Sequence, residues 1–156
     1  MTIAVDFDGT IVENKYPEIG KEKAFAIQTL RTLQQEGNRL ILFTSREGED
    51  LAAAVKFCHE RGLDFYAVNS NQPPDALFKQ QTAKVIADLY IDDRNLGGIP
   101  DWPTIYEVIT RQRLERRAAR EKKRGWGLFR KEPPGPPARR RCDESANWFF
   151  GQPHEK

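Results

Sequence analysis

The feature of the sequence that most constrains the fold is a short apolar run that ends in two carboxylates, within the segment IAVDFDGT at residues 3–10. The run is typical of a strand buried on both faces, because it lacks the polar alternation of a half-exposed strand. Ligands of parallel α/β sheets bind beyond the carboxyl ends of the strands, so Asp6 and Asp8 stand where a site is expected. Gly9 permits a sharp turn, through which both carboxylates can serve one site. The same segment is also typical of a strand followed by an acidic turn.

Apolar runs and amphipathic segments alternate along the next hundred residues. This alternation predicts an α/β fold with a Rossmann-like, doubly wound parallel sheet. The segment at residues 11–20 is polar and contains Pro17 and Gly20, so we expect an irregular hairpin or flap there. We predict strands at 39–44, 65–68 and 86–91, and helices at 21–36, at 49–61, at 75–81 and from Ile105 onwards.

Charge is divided unevenly along the chain. Residues 1–110 contain 11 Lys or Arg and 17 Asp or Glu, whereas residues 111–156 contain 14 and 6. We therefore predict a folded core over 1–110 and a basic C-terminal extension over 111–156, and only the extension suggests an anionic partner, nucleic acid or lipid. Residues 111–124 fit either a continuation of the last helix or an independent charged helix. The prolines and arginines of 133–141 are typical of a disordered or extended tail.

The cysteines and the lack of long apolar stretches indicate a cytoplasmic protein. Cys58 and Cys142 are too few for a disulfide framework and lie outside any CxxC pattern, so we expect reduced thiols. His59 and His154 are isolated, which disfavours a histidine-based zinc site. No stretch approaches the ~20 apolar residues of a membrane span, and we expect no signal peptide.

Polar residues follow the predicted strands in a fixed order. They are the DxDGT segment with Asp6 and Asp8, then Thr44 with Ser45 and Arg46, then Lys84, then Asp92 with Asp93. This order resembles the four motifs of the haloacid dehalogenase superfamily, and most closely its small phosphatase-type members that lack a cap domain. The resemblance covers residues 3–103. It implies a phosphatase, and the residue types required for catalysis are all present.

The resemblance implies a role for each catalytic residue. Asp6 would attack phosphorus and form an aspartyl-phosphate. Asp8 would protonate the leaving oxygen and then activate water. Thr44 would hydrogen-bond the transferring phosphoryl group, and Lys84 would hold it by charge. Transfer to an acceptor other than water stays open, because the same aspartyl-phosphate serves both reactions.

A divalent cation is expected at the same place. A phosphoryl group is negatively charged, so carboxylates can approach it only where a cation neutralises the site. Mg²⁺ prefers oxygen ligands, which these strand ends supply. By resemblance, the ligands of Mg²⁺ would be Asp6, Asp8 through its carbonyl, and Asp92, with Asp93 in support.

Three of these assignments have alternatives. Lys79 also precedes the fourth predicted strand, but Lys84 lies nearer to it. Ser45 and Arg46 could contact substrate, although a surface salt bridge to Glu47 or Glu49 would equally explain the arginine. Asn69 is either a substrate contact at the rim or a turn residue.

The spacing of the motifs leaves no room for a cap domain. A capless member of the superfamily either acts on a large substrate or relies on a neighbouring subunit or the tail to cover its site. Small phosphorylated metabolites are the preferred substrate class, followed by nucleic-acid ends and phosphoproteins. In a second hypothesis the basic extension binds nucleic acid or an anionic surface and the body is a scaffold. The aromatic residues 148–150 could dock on the body or on a partner.

Overall fold

A computed structural model describes residues 1–73, 75–76 and 84–127, with side chains up to residue 124. Strands and helices alternate along this part of the chain. The elements are β1 (Thr2–Val5), α1 (Ala26–Gln35), β2 (Arg39–Leu42), α2 (Gly48–His59), β3 (Ala67–Val68), β4 (Leu89–Ile91) and α3 (Trp102–Gly127).

The strands form one parallel sheet in the order β3-β2-β1-β4. This confirms the predicted α/β class. Val5 at the end of β1 is in register with Leu42 of β2 and with Ile91 of β4. Because the three strands end at the same level, the residues that follow them meet at one edge of the sheet.

Side chains of β1 alternate between two hydrophobic clusters, as a strand requires. Ile3 and Val5 lie in the larger cluster, to which α1, α2 and α3 all contribute buried residues. Ala4 lies in a smaller cluster with Ile41, Ala67 and Val85. The predicted helix at 75–81, which would cover this second face, lies largely outside the described residues, so the doubly wound arrangement stays a prediction.

The segment after β1 forms the expected irregular hairpin. Its two arms pair through the amide of Glu13 with the carbonyl of Lys21 and the amide of Lys23 with the carbonyl of Ile11, at 2.8 and 2.9 Å. This pairing occupies residues 21–23, and Phe25 adopts a left-handed conformation with φ of 67°. For that reason α1 begins at Ala26 and not at position 21 as predicted.

The last helix extends well beyond the apolar residues from which its start was predicted. α3 runs without a break from Trp102 to Gly127, so residues 111–124 continue the last helix and are not an independent one. Its first half is anchored by the buried side chains of Trp102, Ile105 and Ile109. The predicted boundary at residue 110 falls inside α3, and one compact unit of the chain spans Met1–Arg120.

Of the two cysteines, only Cys58 lies among the described residues. Cys58 is buried, and burial raises the pKa of its thiol to about 12, which fits an inert reduced cysteine. Cys142, His154, the aromatic residues 148–150 and Lys79 lie outside the described residues. Within the described part, no helix is both long and apolar enough to cross a membrane.

Candidate functional site at the carboxyl edge of the sheet

A polar cavity of about 240 Å³ lies where β1, β2 and β4 end. Asp6 directly follows β1, and its amide donates to the carbonyl of Ile91 at the end of β4, at 2.9 Å. This bond ties the first carboxylate to the neighbouring strand end. The cavity is lined by Asp6, Asp8, Phe43, Thr44, Ser45, Asp92 and Arg94. The structure therefore brings together residues of the first, second and last predicted motifs.

Three carboxylates converge at this edge. Asp6, Asp92 and Asp93 each offer one oxygen, and the three oxygens lie within 4.8 Å of one another. The pKa of Asp6 is raised to about 6, by burial first and also by the charges of Asp92 and Asp93, while hydrogen bonds from the Phe7 amide and the Thr10 hydroxyl lower it. The arrangement stores electrostatic repulsion that a cation would relieve.

The carboxylate cluster is suited to a hard divalent cation. Oδ1 of Asp93 is buried and has no hydrogen-bond partner among the described residues. A buried carboxylate oxygen without a partner is costly, and a metal ion would satisfy it. The cluster offers oxygen ligands, as Mg²⁺ or Ca²⁺ prefers. The Asp8 carboxylate is not part of this cluster and has another partner, and the predicted role of the Asp8 carbonyl as a metal ligand stays a prediction.

Gly9 allows the turn that forms the cluster. Its φ is 81°, and a Cβ atom on it would lie 2.0 Å from Oδ2 of Asp93. Only glycine fits such a position without strain. Thr10 completes the turn, because its hydroxyl donates to Oδ2 of Asp6 at 3.1 Å and accepts from the Asp93 amide at 3.0 Å. One threonine therefore links the β1 end to the β4 end.

The guanidinium of Arg46 makes four hydrogen bonds to other groups of the protein. Its Nε and one terminal nitrogen donate to the two oxygens of Asp8 at 2.6 and 2.8 Å. The terminal nitrogens also donate to the carbonyls of Pro17 and Glu18 in the hairpin, at 2.8 and 2.9 Å. Its side chain is only 1% exposed.

This geometry changes the interpretation of Arg46. The salt bridge anticipated with Glu47 or Glu49 is wrong, because the partner is Asp8. The predicted contact with substrate is also not supported, since four of the five N–H groups of the guanidinium donate to protein acceptors and Arg46 is absent from the cavity lining. Arg46 instead fixes the Asp8 carboxylate and links it to the hairpin.

The other predicted substrate contacts have different surroundings. Thr44 and Ser45 line the cavity, and the Thr44 hydroxyl also accepts the amide of Arg46 at 3.2 Å. Asn69 bonds the backbone of Thr44 on both sides, with its Oδ1 accepting at 2.9 Å and its Nδ2 donating at 2.8 Å. It adopts a left-handed turn with φ of 47°. Asn69 therefore positions Thr44, as expected of a turn residue, and it is absent from the cavity lining.

The predicted site lysine is not in the cavity. Lys84 is exposed, is absent from the cavity lining, and holds its Nζ 5.7 Å from the centroid of the Tyr90 ring. Its alternative, Lys79, lies outside the described residues. The structure thus leaves the position of the predicted phosphate-binding lysine without support.

Arg94 is a cavity residue that the sequence reasoning missed. It directly follows the Asp92 and Asp93 pair, and its amide donates to Oδ1 of Asp92 at 2.8 Å. Its position immediately after an acidic pair at a strand end was an available signal.

These features define an α/β protein with a carboxylate cluster and a paired Asp–Arg at the carboxyl edge of a parallel sheet. The chain is 57% identical to a protein of Bacteroides thetaiotaomicron whose solved structure is described as that of a conserved protein. The match covers 72% of this chain and 91% of that one, with a TM-score of 0.67. The chain belongs to the family of that conserved protein. No family model and no curated protein matches it.

Proposed function

We propose that this protein is a cytoplasmic, Mg²⁺-dependent phosphomonoester hydrolase of the haloacid dehalogenase type that acts through an aspartyl-phosphate on Asp6. The observation that carries the proposal is the cluster of Asp6, Asp92 and Asp93, with Asp8 lining the same cavity. The preferred substrate class is a small phosphorylated metabolite. The motif order that resembles the superfamily supports the same conclusion.

The reaction proceeds in two displacements at phosphorus. A carboxylate oxygen of Asp6 attacks phosphorus and the bond from phosphorus to the ester oxygen breaks. Asp8 gives a proton to the departing alcohol, which requires that one of its oxygens first leaves Arg46 and takes up that proton. A water molecule then attacks phosphorus, gives a proton to Asp8, and the bond to Asp6 breaks. The products are the alcohol and inorganic phosphate, and both carboxyl groups regain their initial state.

Neighbouring residues hold the reacting groups in place. The Thr10 hydroxyl donates to Oδ2 of Asp6 and so fixes the orientation of the Asp6 carboxylate. Arg46 holds Asp8, and Thr44 lines the cavity, where its hydroxyl would hydrogen-bond the phosphoryl group. Fixed donors and acceptors of this kind contribute to catalysis because they need no reorganisation during the reaction.

The cation would be held by Asp6, Asp92 and Asp93. When bound, it neutralises the carboxylates and stabilises the negative charge of the transferring phosphoryl group. The raised pKa of Asp6 and the unsatisfied Oδ1 of Asp93 are the features of this chain that fit such a cation.

The test is phosphate release from a broad panel of phosphomonoesters, with Mg²⁺ and with EDTA. Activity is expected to need both Mg²⁺ and Asp6, so Asp6→Asn should lower the rate of phosphate release by at least about 10³-fold. Asp64→Asn is the matched control, because Asp64 is exposed and pairs with His59 away from the cavity. An active Asp6→Asn enzyme, or release that persists in EDTA, would refute the mechanism.

A second candidate function concerns the basic half of α3. Residues 111–124 contain eight Lys or Arg and two Asp or Glu within one continuous helix, most of them exposed. A helix so charged and so poor in apolar side chains suits the phosphate backbone of a nucleic acid better than a membrane surface. Chains with and without residues 111–156 should differ in salt-dependent binding of a DNA or RNA oligonucleotide. Equal binding, or none by the full chain, would reject this candidate.

A further inference from the structure

We propose that Arg94 recognises a second anionic group of the substrate, so that the preferred substrates are phosphomonoesters that also carry a phosphate or a carboxylate. The inference rests on the proposed function, because it concerns the substrate of the same cavity. It assigns a specificity-determining role to a residue outside the four motifs.

The charges of the cavity wall are the first argument. Asp6, Asp8 and Asp92 line it with carboxylates, and Arg94 is the one cation among its described lining residues. An anionic substrate meets repulsion from such a wall, and a cation at one side selects the orientation in which the anion faces it. A guanidinium can bind a phosphate or a carboxylate through two parallel hydrogen bonds.

The availability of Arg94 is the second argument. Other basic groups near the site have partners inside the protein: Arg46 binds a carboxylate and two carbonyls, and the Lys23 ammonium contacts the Gly9 carbonyl. Arg94 is exposed, and its guanidinium has no hydrogen bond or ion pair with any described residue. It is therefore a cation at the cavity that can bind a ligand without first breaking a protein contact.

The backbone of Arg94 is nevertheless held firmly. Its amide donates to Oδ1 of Asp92, a member of the carboxylate cluster, at 2.8 Å. Since this bond keeps the Arg94 Cα beside the cluster, the guanidinium lies within one side-chain length of the cavity that Arg94 lines. A second anion would consequently lie a short distance from the phosphoryl group and not at a remote surface.

Phe43 supplies a surface for the part of the substrate between the two anions. Its half-buried ring lines the cavity and packs edge-on against Tyr90, with ring centroids 6.3 Å apart. A rigid aromatic wall favours contact with a sugar or another carbon skeleton. The expected substrate thus places its phosphoryl group at the carboxylate cluster, its skeleton against Phe43 and its second anion at Arg94.

The test compares substrates that differ in the second anion alone. The pairs are glycerol 3-phosphate with 3-phosphoglycerate, for a carboxylate, and a nucleoside 3′-monophosphate with the 3′,5′-bisphosphate, for a phosphate. In the second pair only loss of the 3′-phosphate is counted, by chromatography of the nucleoside products, because the 5′-phosphate is itself a hydrolysable ester. We expect wild-type kcat/KM to favour the doubly anionic member of at least one pair by at least about tenfold. Arg94→Gln should remove most of this preference, and Arg94→Lys should keep part of it. Arg31→Gln, which removes the same charge from an exposed position on α1 outside the cavity lining, should leave the ratio unchanged.

The outcomes separate this inference from the proposed function. If monoesters are hydrolysed without preference, or if Arg94→Gln keeps the preference, the role of Arg94 is overturned and the phosphatase activity stands. The same pairs are titrated by calorimetry into Asp6→Asn with Mg²⁺, so that binding is measured without turnover. The same preference is expected there, and a protein that neither hydrolyses nor binds any of the four compounds would overturn both conclusions.

Discussion

Asp6 combines a partly buried position with two neighbouring carboxylates, and this makes the metal-free protein sensitive to pH. The pKa of Asp6 is raised from 3.8 to about 6 by burial first and by Asp92 and Asp93 second. The folded state therefore binds the proton more tightly than the unfolded state. The contribution of protonated Asp6 to the stability of the fold is complete below pH 4 and is lost as the pH rises through about 6.

Removing this carboxylate should stabilise the metal-free protein. In EDTA at pH 8, Asp6→Asn is expected to raise the free energy of unfolding by about 1–2 kcal/mol, allowing for the partial exposure of the group. The difference should shrink towards pH 4, where wild-type Asp6 is protonated. Urea unfolding at both pH values measures it, and Mg²⁺ should stabilise wild type more than the variant. A difference that is the same at pH 4 and pH 8 would contradict this account of the cluster.

Arg46 offers a second prediction at the scale of one residue. Arg46→Lys keeps the charge but cannot make the two parallel bonds to Asp8 together with the bonds to Pro17 and Glu18. We expect kcat to fall by at least about tenfold and the free energy of unfolding by about 2–3 kcal/mol. Steady-state kinetics and urea unfolding measure the two effects.

The control for Arg46 is Arg61→Lys. Arg61 also binds a carboxylate, that of Glu22, and also donates to a backbone carbonyl, but it is 38% exposed and lies outside the cavity lining. Its replacement should cost less than about 1 kcal/mol and leave kcat unchanged. Equal losses in the two variants would show that Arg46 has no special role at Asp8.

At the scale of elements, the turn after β1 joins the strand to the cluster. Gly9→Ala would force a Cβ against the Asp93 carboxylate at a left-handed φ, so we expect about 3 kcal/mol of destabilisation and loss of Mg²⁺ binding. Gly37→Ala is a matched control, because Gly37 has a similar φ of 85° and nothing within 4 Å of the added atom. It should cost only about 1 kcal/mol and leave Mg²⁺ binding intact. Calorimetric titration with Mg²⁺ tests both, and similar affinities in the two variants would contradict the role of the turn.

The elements were predictable where the apolar pattern was strong. β1 and β2 occupy the predicted apolar runs, because both are central strands buried on each side. The predicted strand at 86–91 shrank to Leu89–Ile91. The amide and carbonyl of Ile86 pair with the side chain of Asn71 instead of joining the sheet, at 2.7 and 2.6 Å. A side chain that competes for backbone groups leaves no trace in apolar periodicity.

At the scale of the whole molecule, the motif order predicted which strand ends would meet, and the carboxylate cluster follows from it. The long-range partners could not be predicted. The pairing of Arg46 with Asp8 joins positions 38 residues apart, and the bonds of Asn69 to Thr44 span 25. Such contacts depend on the turn geometry at the sheet edge, which propensities do not encode. The exposed Lys84 is a related case, because nearness to a strand in sequence did not place its side chain in the cavity.

The central claim is that Asp6 is the nucleophile, and chemical trapping of the phosphoenzyme tests it most directly. Enzyme that is turning over substrate with Mg²⁺ is quenched in acid, treated with borohydride, which reduces an aspartyl-phosphate to homoserine, and sequenced by mass spectrometry. The account predicts homoserine in place of Asp6, dependent on both substrate and Mg²⁺. Trapping at a different residue, or sustained phosphate release with no modification at Asp6, would contradict it.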